Sequence, residues 1–253
     1  MKILSRIFVS VMCLICGTSL SAQDSELTSS EKHAIRAFVN DVKYARKELV
    51  ANAISYPLSR IYPLEPIRSA EEFIAHYDEF IDSSLIDSLV NTSWYRFGWR
   101  GITCNAHVQL WGVVGEDGEF RVYSFGLNDK GKERWQESVE KQRGLLHPSL
   151  REFDVPEYMI KAGKYIVRID RMADETYRYA SWSGSKSISS NPDLIIYGGT
   201  LEVIGTIHEY HYSFTNGEYE YQVVGGGPWE YPFELCVLRG DKELLSREGE
   251  LYY

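Results

Sequence analysis

Residues 210–223 read Tyr-His-Tyr-Ser-Phe-Thr-Asn-Gly-Glu-Tyr-Glu-Tyr-Gln-Val, and this stretch predicts an antiparallel hairpin. Asn216 and Gly217 form a strong turn signal, because both residues tolerate a positive φ. A two-residue turn at this position pairs Tyr212 with Tyr221. One face of the hairpin is then aromatic and the other polar, so we expect a half-buried sheet with the aromatic face in the core. The aromatic face consists of Tyr210, Tyr212, Phe214, Tyr219, Tyr221 and Val223.

The alternating pattern continues through most of the second half of the chain. Strand candidates separated by turn signals at short spacing are typical of a small all-β barrel or sandwich. The candidates are 165–170, 177–182, 194–197, 201–204, 207–215, 218–224, 233–239 and 243–246. We therefore predict an all-β domain over 156–253, and the pattern leaves barrel and sandwich open.

The first half of the chain begins with helical periodicity. Thr28 and Glu31 have capping-box spacing, and apolar residues recur behind them at helical spacing as far as residue 54. Ser69 and Glu72 open a second predicted helix, and a third covers 85–90.

From residue 94 onward the period changes from helical to alternating. Strands are predicted over 94–101, 102–114 and 120–125, with a hairpin turn at 115–118 between the last two. Helices followed by an antiparallel sheet give an α+β domain over 28–128. The charged stretch 129–155 reads as a connector, whose first part is an exposed helix or a loop.

The N-terminal segment has the pattern of a secretory signal peptide. Lys2 and Arg6 precede an uncharged, mostly apolar run over 7–20, and small residues follow as far as Ala22. We predict that residues 1–22 are removed near Ala22 and that the protein is periplasmic or extracellular. The run is too short for a membrane span.

Composition and charge exclude several classes of protein. With 44% hydrophobic and 25% charged residues, the chain is neither disordered, collagen-like nor a coiled coil. A formal net charge of −9 gives no electrostatic support for nucleic-acid binding. Cys104 and Cys236 remain in the mature chain, and an oxidising compartment permits a disulfide between them without requiring it.

Four short motifs in the first half occur together in a known setting. They are Tyr-Pro-Leu at 56–58, Ser-Ala-Glu-Glu-Phe at 69–73, Tyr-Asp-Glu-Phe at 77–80 and Gly-Trp-Arg-Gly at 98–101. In this order they resemble a group of secreted Gram-negative proteins of uncharacterised function, over about 28–126. Helices followed by a bent sheet are similar to the cone of nuclear transport factor 2-like folds. The resemblance implies a cone-shaped pocket, which hosts enzymes and binding modules alike; the second half resembles no family that we can name.

The strands from 94 to 111 carry the candidate binding surface. Trp94, Arg96 and Arg100 alternate onto one face, and His107 and Trp111 share a face of the next strand. Arginines beside tryptophans can bind an anion or a sugar ring through ion pairs and stacking. The alternative is an exposed cation–π ladder that only covers the sheet.

A second candidate is the glycine-rich segment 225–229, which ends in Trp229. It is either a flexible strand connection or a mobile tip that presents Trp229 to a partner. His208 and His211 face opposite sides of a strand and predict no metal site. The Ser183–Lys186 pair lacks the partner motifs of a serine–lysine nucleophile, and no cofactor motif is present.

These observations favour a secreted, non-catalytic binding protein whose ligand is a small molecule, an envelope glycan or a protein. The alternative is a hydrolase that acts from a cone-shaped pocket with His or carboxylate acid–base groups. An enzyme should bury such a group beside a second polar group. A binding module should line its pocket with aromatic and satisfied polar side chains.

Overall fold

The computed structural model describes residues 26–104, 110–204, 209–226 and 231–253, without the side chains of Trp99 and Tyr231. The predicted signal peptide, residues 1–22, lies outside this range. The chain folds into N-terminal helices, a four-stranded antiparallel sheet, a connecting helix and a closed eight-stranded barrel. The predicted α+β architecture with a C-terminal all-β part is confirmed, and the all-β part is a barrel.

The first helix is capped as the sequence predicts, but it is shorter. The Thr28 side chain accepts a hydrogen bond from the Glu31 amide, and the Glu31 carboxylate accepts one from the Thr28 amide. Helix α1 (Ser29–Lys43) ends before Ala45, whose φ is 50°. A separate helix α2 (Lys47–Asn52) follows. Further helices are α3 (Ala70–Ala75) and α4 (Ser83–Asn91).

The sheet of the first half differs from the prediction in its strand boundaries. It runs in the order β1 (Trp94–Arg96), β2 (Ile102–Cys104), β3 (Leu110–Val114) and β4 (Phe120–Phe125). The prediction of one strand over 102–114 is wrong, because β2 and β3 pair antiparallel, with Ile102 opposite Gly112. The strand predicted over 94–101 stops at Arg96 and continues as a 3₁₀ turn at Gly98–Arg100.

The charged stretch after the sheet forms helix α5 (Asp129–Leu145), capped by the Asn128 side chain. One side of α5 is buried, contrary to the expected exposure. The Trp135 indole donates to the Tyr62 carbonyl at 2.8 Å, and Gln142 accepts from Arg168 of the barrel at 2.6 Å. Because α5 contacts both halves, the division into domains at 28–128, 129–155 and 156–253 stays a prediction.

Each barrel strand pairs antiparallel with its neighbours in sequence, and β12 closes the barrel on β5. β5 was not predicted, and the candidates at 194–197 and 201–204 form a single strand, β8. The strands are β5 (Val155–Ala162), β6 (Tyr165–Arg171), β7 (Tyr177–Ser183), β8 (Leu194–Ile204), β9 (Glu209–Asn216), β10 (Tyr219–Gly226), β11 (Tyr231–Arg239) and β12 (Lys242–Leu251).

The hairpin at 210–223 has the predicted faces but a different register. Tyr212 lies opposite Val223, not Tyr221, and Asn216 pairs with Tyr219. The turn residues are therefore Gly217 and Glu218, with Gly217 at φ 63° supplying the positive φ. A shift of two positions leaves every side chain on its face, and Tyr212 is fully buried inside the barrel as expected.

Side chains fill the middle of the barrel, as in many eight-stranded barrels. Val167, Tyr179, Phe214 and Leu235 are all at most 2% exposed. Cys104 is buried and Cys236 is partly buried, and no disulfide joins the two. No described helix has the length and apolar character of a membrane span.

On the outer face of the barrel a buried polar network, here called the outer cluster, joins Arg168, Asp170 and Arg178 to Gln142. Both arginines reach the Asp170 carboxylate at 2.6 Å, and all three charged side chains are at most 1% exposed. Arg178 also donates to the carbonyls of Leu150 and Glu152. The network connects the barrel to α5 and the segment behind it.

Candidate functional site

The surface predicted on the first sheet does not form as one surface. Trp94 packs edge-to-face on Phe120 at 5.6 Å and belongs to the core side of the sheet, which it shares with Cys104. Arg96 is ion-paired with Glu31. This part of the predicted surface therefore stabilises the fold, since the charge of Arg96 is already neutralised.

Trp111 lies on the opposite face of the sheet, paired with Thr103. There it packs edge-to-face on Phe97 at 6.0 Å, and the Arg100 guanidinium lies 5.7 Å from the same ring. The structure thus brings Arg100 and Trp111 together through Phe97 and separates both from Trp94. His107 and Trp229 lie outside the described residues.

One end of the barrel carries a more unusual arrangement, which sequence reasoning missed. At this end β5, β7, β9 and β11 begin, and β6, β8, β10 and β12 end. We call its inward-facing polar group the tyrosine mouth. It consists of Glu157, Arg171, Tyr158, Tyr177, Tyr210 and Tyr212.

A β-bulge places Glu157 in the mouth. Pro156 lies opposite Asp170 and Tyr158 lies opposite Ile169, so Glu157 is an extra residue without a cross-strand partner. Strict alternation would send the Glu157 side chain outward. Instead the Tyr212 hydroxyl, inside the barrel, donates to Glu157 Oε2 at 3.4 Å.

Three tyrosine rings pack around Tyr212, whose hydroxyl reaches this carboxyl group. The rings of Tyr158, Tyr177 and Tyr210 each meet the ring of Tyr212 edge-to-face, with centroids 6.2, 5.2 and 6.3 Å away. Gly226 is required at this end, because a Cβ there would lie 2.9 Å from the Tyr158 ring. Tyr212 is fully buried, whereas the other three tyrosines keep some surface in solvent.

Arg171 brings three carboxylates together at the mouth. Its Nε lies 3.8 Å from Glu157 Oε1, its Nη2 lies 3.6 Å from Asp154 Oδ2, and its Nη1 lies 3.4 Å from Glu175 Oε2. The Arg171 side chain is 7% exposed, and its Nε is buried with no hydrogen-bond partner among the described residues. The guanidinium is therefore loosely held, since these distances exceed those of good charge-assisted hydrogen bonds.

The surroundings of Glu157 favour its protonated form. Burial raises the pKa of its carboxyl from 4.5 to about 7, although Arg171 and the Tyr212 hydroxyl lower it. Burial, and then the charge of Glu157, raises the pKa of Tyr177 to about 12 and raises that of Tyr212 well above its ordinary value. Glu157 is therefore a mostly buried carboxyl with a pKa near neutral, and 22% of its side chain is exposed.

The described part of the first half contains a His–carboxylate pair. His76 Nδ1 lies 2.7 Å from Glu79 Oε1, and Arg60 Nη1 lies 3.2 Å from Glu79 Oε2. Glu79 is buried and His76 is 31% exposed at its side chain. The Glu79 carbonyl also accepts from the Asn128 amide, so this residue ties the helices to the start of α5.

Within the described ranges, no group of three or more His, Cys, Asp or Glu side chains is placed to hold a metal ion. Comparison with models of known protein families, with curated proteins and with solved structures found no match to this chain. The likeness of residues 28–126 to nuclear transport factor 2-like folds therefore stays a prediction. What the structure shows for that half is helices followed by a four-stranded antiparallel sheet.

Proposed function

We propose that the protein binds a small molecule at the tyrosine mouth without transforming it, in the periplasm or outside the cell. One observation carries the proposal: a bulge turns the partly exposed Glu157 side chain inward, where its carboxyl meets the Tyr212 hydroxyl and the tyrosine rings packed around Tyr212. Bulges often re-aim a side chain at a functional site. Ligand pockets typically combine aromatic walls with a few convergent polar groups. The compartment rests on the sequence pattern of residues 1–22.

The packing of the barrel limits how a ligand could lie. Val167, Tyr179 and Phe214 fill the middle, so a ligand occupies the end of the barrel and stays in contact with solvent. An extended glycan or a protein partner would have to bind across the loops around the mouth.

A thermal-shift panel of small organic cations, anions and monosaccharides tests the proposal. Compounds that raise the melting temperature are measured again on Glu157→Ala and on Trp111→Ala. We expect the stabilisation to disappear in Glu157→Ala and to persist in Trp111→Ala, which removes the ring at the predicted sheet surface. Loss in Trp111→Ala alone would move the binding site to that sheet. Loss in neither variant would overturn the mouth as the binding site.

A hydrolase is the second candidate, and one observation favours it. A carboxyl group that keeps its proton up to about pH 7 is suited to general acid catalysis. Incubation with chromogenic glycosides and esters tests this function. Turnover that is lost in Glu157→Gln would favour the hydrolase over the binding protein. Turnover lost instead in His76→Ala would assign the chemistry to the His76–Glu79 pair.

A further inference from the structure

We propose that the ligand of the tyrosine mouth is an organic ammonium ion that also carries an oxygen acceptor. This inference rests on the proposed function and names its ligand class. It starts from the balance of charge among the described residues of the mouth, where three carboxylates meet a single guanidinium. Asp154, Glu157 and Glu175 all lie within 4 Å of Arg171. When all four groups are ionised, the negative charges outnumber the positive charge, and the arrangement favours a cation.

The tyrosines supply the second element of a cation site. Organic ammonium ions bind between aromatic rings, because the π faces carry partial negative charge. Three of the four tyrosine rings at the mouth are partly accessible, and their carboxyl neighbour can neutralise the charge. An anion would instead meet three carboxylates. A neutral sugar would leave the buried carboxyl to keep its proton or to carry an unneutralised charge.

The groups that face Glu157 from all sides are compatible with a bound cation replacing its proton. Burial, Asp170 of β6 and Asp154 ahead of β5 raise its pKa, whereas Arg171 of β6 and the Tyr212 hydroxyl of β9 lower it. Tyr177 of β7 and Tyr210 of β9 also lie near its charge. An ammonium ion beside Glu157 takes the place of the proton and stabilises the carboxylate.

Arg171 accounts for the oxygen acceptor. Its Nε is buried and has no hydrogen-bond partner among the described residues, while the nearest carboxylate oxygen of Glu157 is 3.8 Å away. A buried donor without a partner is costly. A hydroxyl or carbonyl oxygen on the ligand would accept from this N–H, next to the ammonium group that contacts Glu157.

Three probes separate these elements by isothermal titration calorimetry. Choline carries both the charge and the oxygen, 3,3-dimethylbutan-1-ol is its neutral isostere, and tetramethylammonium keeps the charge but lacks the hydroxyethyl arm with its oxygen. We expect choline to bind at least tenfold more tightly than the neutral alcohol and several-fold more tightly than tetramethylammonium. As the pH is raised toward 7, the affinity for choline should increase about tenfold per pH unit, because binding displaces the proton of Glu157. Above pH 7 the affinity should level off.

Variants tie these results to the mouth. In Glu157→Gln the affinity for choline should fall at least tenfold and lose its pH dependence. Glu209→Gln should change neither, since Glu209 pairs with His211 and its side chain alternates away from those of Tyr210 and Tyr212. Tyr210→Leu, which lacks a ring, should bind about three- to tenfold more weakly than the wild type, and Tyr210→Phe, which restores a ring, should recover most of that loss.

The outcomes distinguish the ligand class from the site. Equal affinity for choline and its neutral isostere, both lost in Glu157→Gln, overturns the ammonium class but keeps the mouth as a binding site. Equal affinity for choline and tetramethylammonium overturns the role of the oxygen. Choline binding that is unchanged in Glu157→Gln overturns both the inference and the assigned site. Absence of choline binding overturns the inference alone, provided that other compounds still depend on Glu157.

Discussion

Strand β6 carries two arginine–carboxylate groups that face opposite sides of the barrel wall. On the outer side, Arg168 and Arg178 hold Asp170 at 2.6 Å, and these side chains are at most 1% exposed. On the inner side, Arg171 lies 3.4 to 3.8 Å from its carboxylates, and Glu157 is 22% exposed. The same residue types thus form a closed structural network on one side and an open, loosely paired group on the other.

The closeness of charge pairing distinguishes a structural charge cluster from a candidate binding site. Removing buried charges from water is costly, and close pairing with added hydrogen bonds offsets that cost. The outer cluster comes close to this condition through Gln142 and the carbonyls of Leu150 and Glu152, although Arg178 Nε is buried without a hydrogen-bond partner among the described residues. At the mouth the ion pairs are longer and offset the cost of burial only in part, so a bound ligand can supply the remaining interactions.

The largest effect that distinguishes the two groups is on stability. Asp170→Ala leaves two buried guanidinium groups without a counter-ion and should cost about 3–5 kcal/mol. Asp154→Ala, which removes a partly exposed partner of Arg171 at the mouth, should cost at most about 1 kcal/mol. Urea unfolding of both variants measures the contrast. Equal losses of stability would show that the outer cluster and the mouth do not differ in how tightly their charges are paired.

A smaller effect is expected for the aromatic face that forms part of the mouth. Tyr212→Ala removes a fully buried ring and should cost about 3 kcal/mol, at the lower end for aromatic truncation because solvent reaches the neighbouring carboxyl. Ser213→Ala, on the opposite face of β9, should change the stability little. Thermal melts decide, and a larger loss for Ser213→Ala would mean that the faces are inverted.

The pH dependence of stability provides a further test of the tyrosine mouth. As the pH rises from 4.5, the unfolded chain loses the Glu157 proton first, while the folded state keeps it until about pH 7. Stability from this group therefore falls across that window and stays lower above it. A shift of this size corresponds to roughly 3 kcal/mol, and the partial exposure of Glu157 reduces our expectation to about 2 kcal/mol.

Glu157→Gln removes this dependence. When the pH is raised from 5 to 8, the wild type should therefore lose about 2 kcal/mol of stability relative to the variant. Glu175→Gln serves as the control, because Glu175 pairs with the same arginine from an exposed position. Urea unfolding at the two pH values provides the measurement. A difference between wild type and Glu157→Gln that is the same at both pH values would refute the raised pKa.

The sequence predicts the architecture better than the site. The change from helical to alternating periodicity at Trp94 and the Asn216–Gly217 turn signal are local patterns, and both the α+β class and the buried face of Tyr212 follow from them. Strand β5 escaped prediction because Pro156 reads as a break, although proline is tolerated beside a bulge. The bulge it adjoins depends on pairing with β6, which no local pattern of residues 155–162 reveals.

The residues of the candidate surface at 94–111 lie on two faces of the sheet for a related reason. Alternation predicts faces only within one unbroken strand. The chain turns at Gly98–Arg100, and β2 and β3 pair with each other, so Trp94 and Trp111 lie on opposite faces. Glu157 could have been suspected only from Pro156, the residue before it, as a sign of irregular strand geometry.

The carboxyl carbon of Glu157 gives the most direct test of whether the mouth differs from a structural charge cluster. Its ¹³C chemical shift can be followed by NMR from pH 3 to pH 9 in protein labelled at glutamate, with Glu157→Gln identifying the signal. We predict a midpoint near pH 7, which choline moves to lower pH by stabilising the carboxylate. A midpoint near 4.5, the ordinary value for glutamate, would contradict the account.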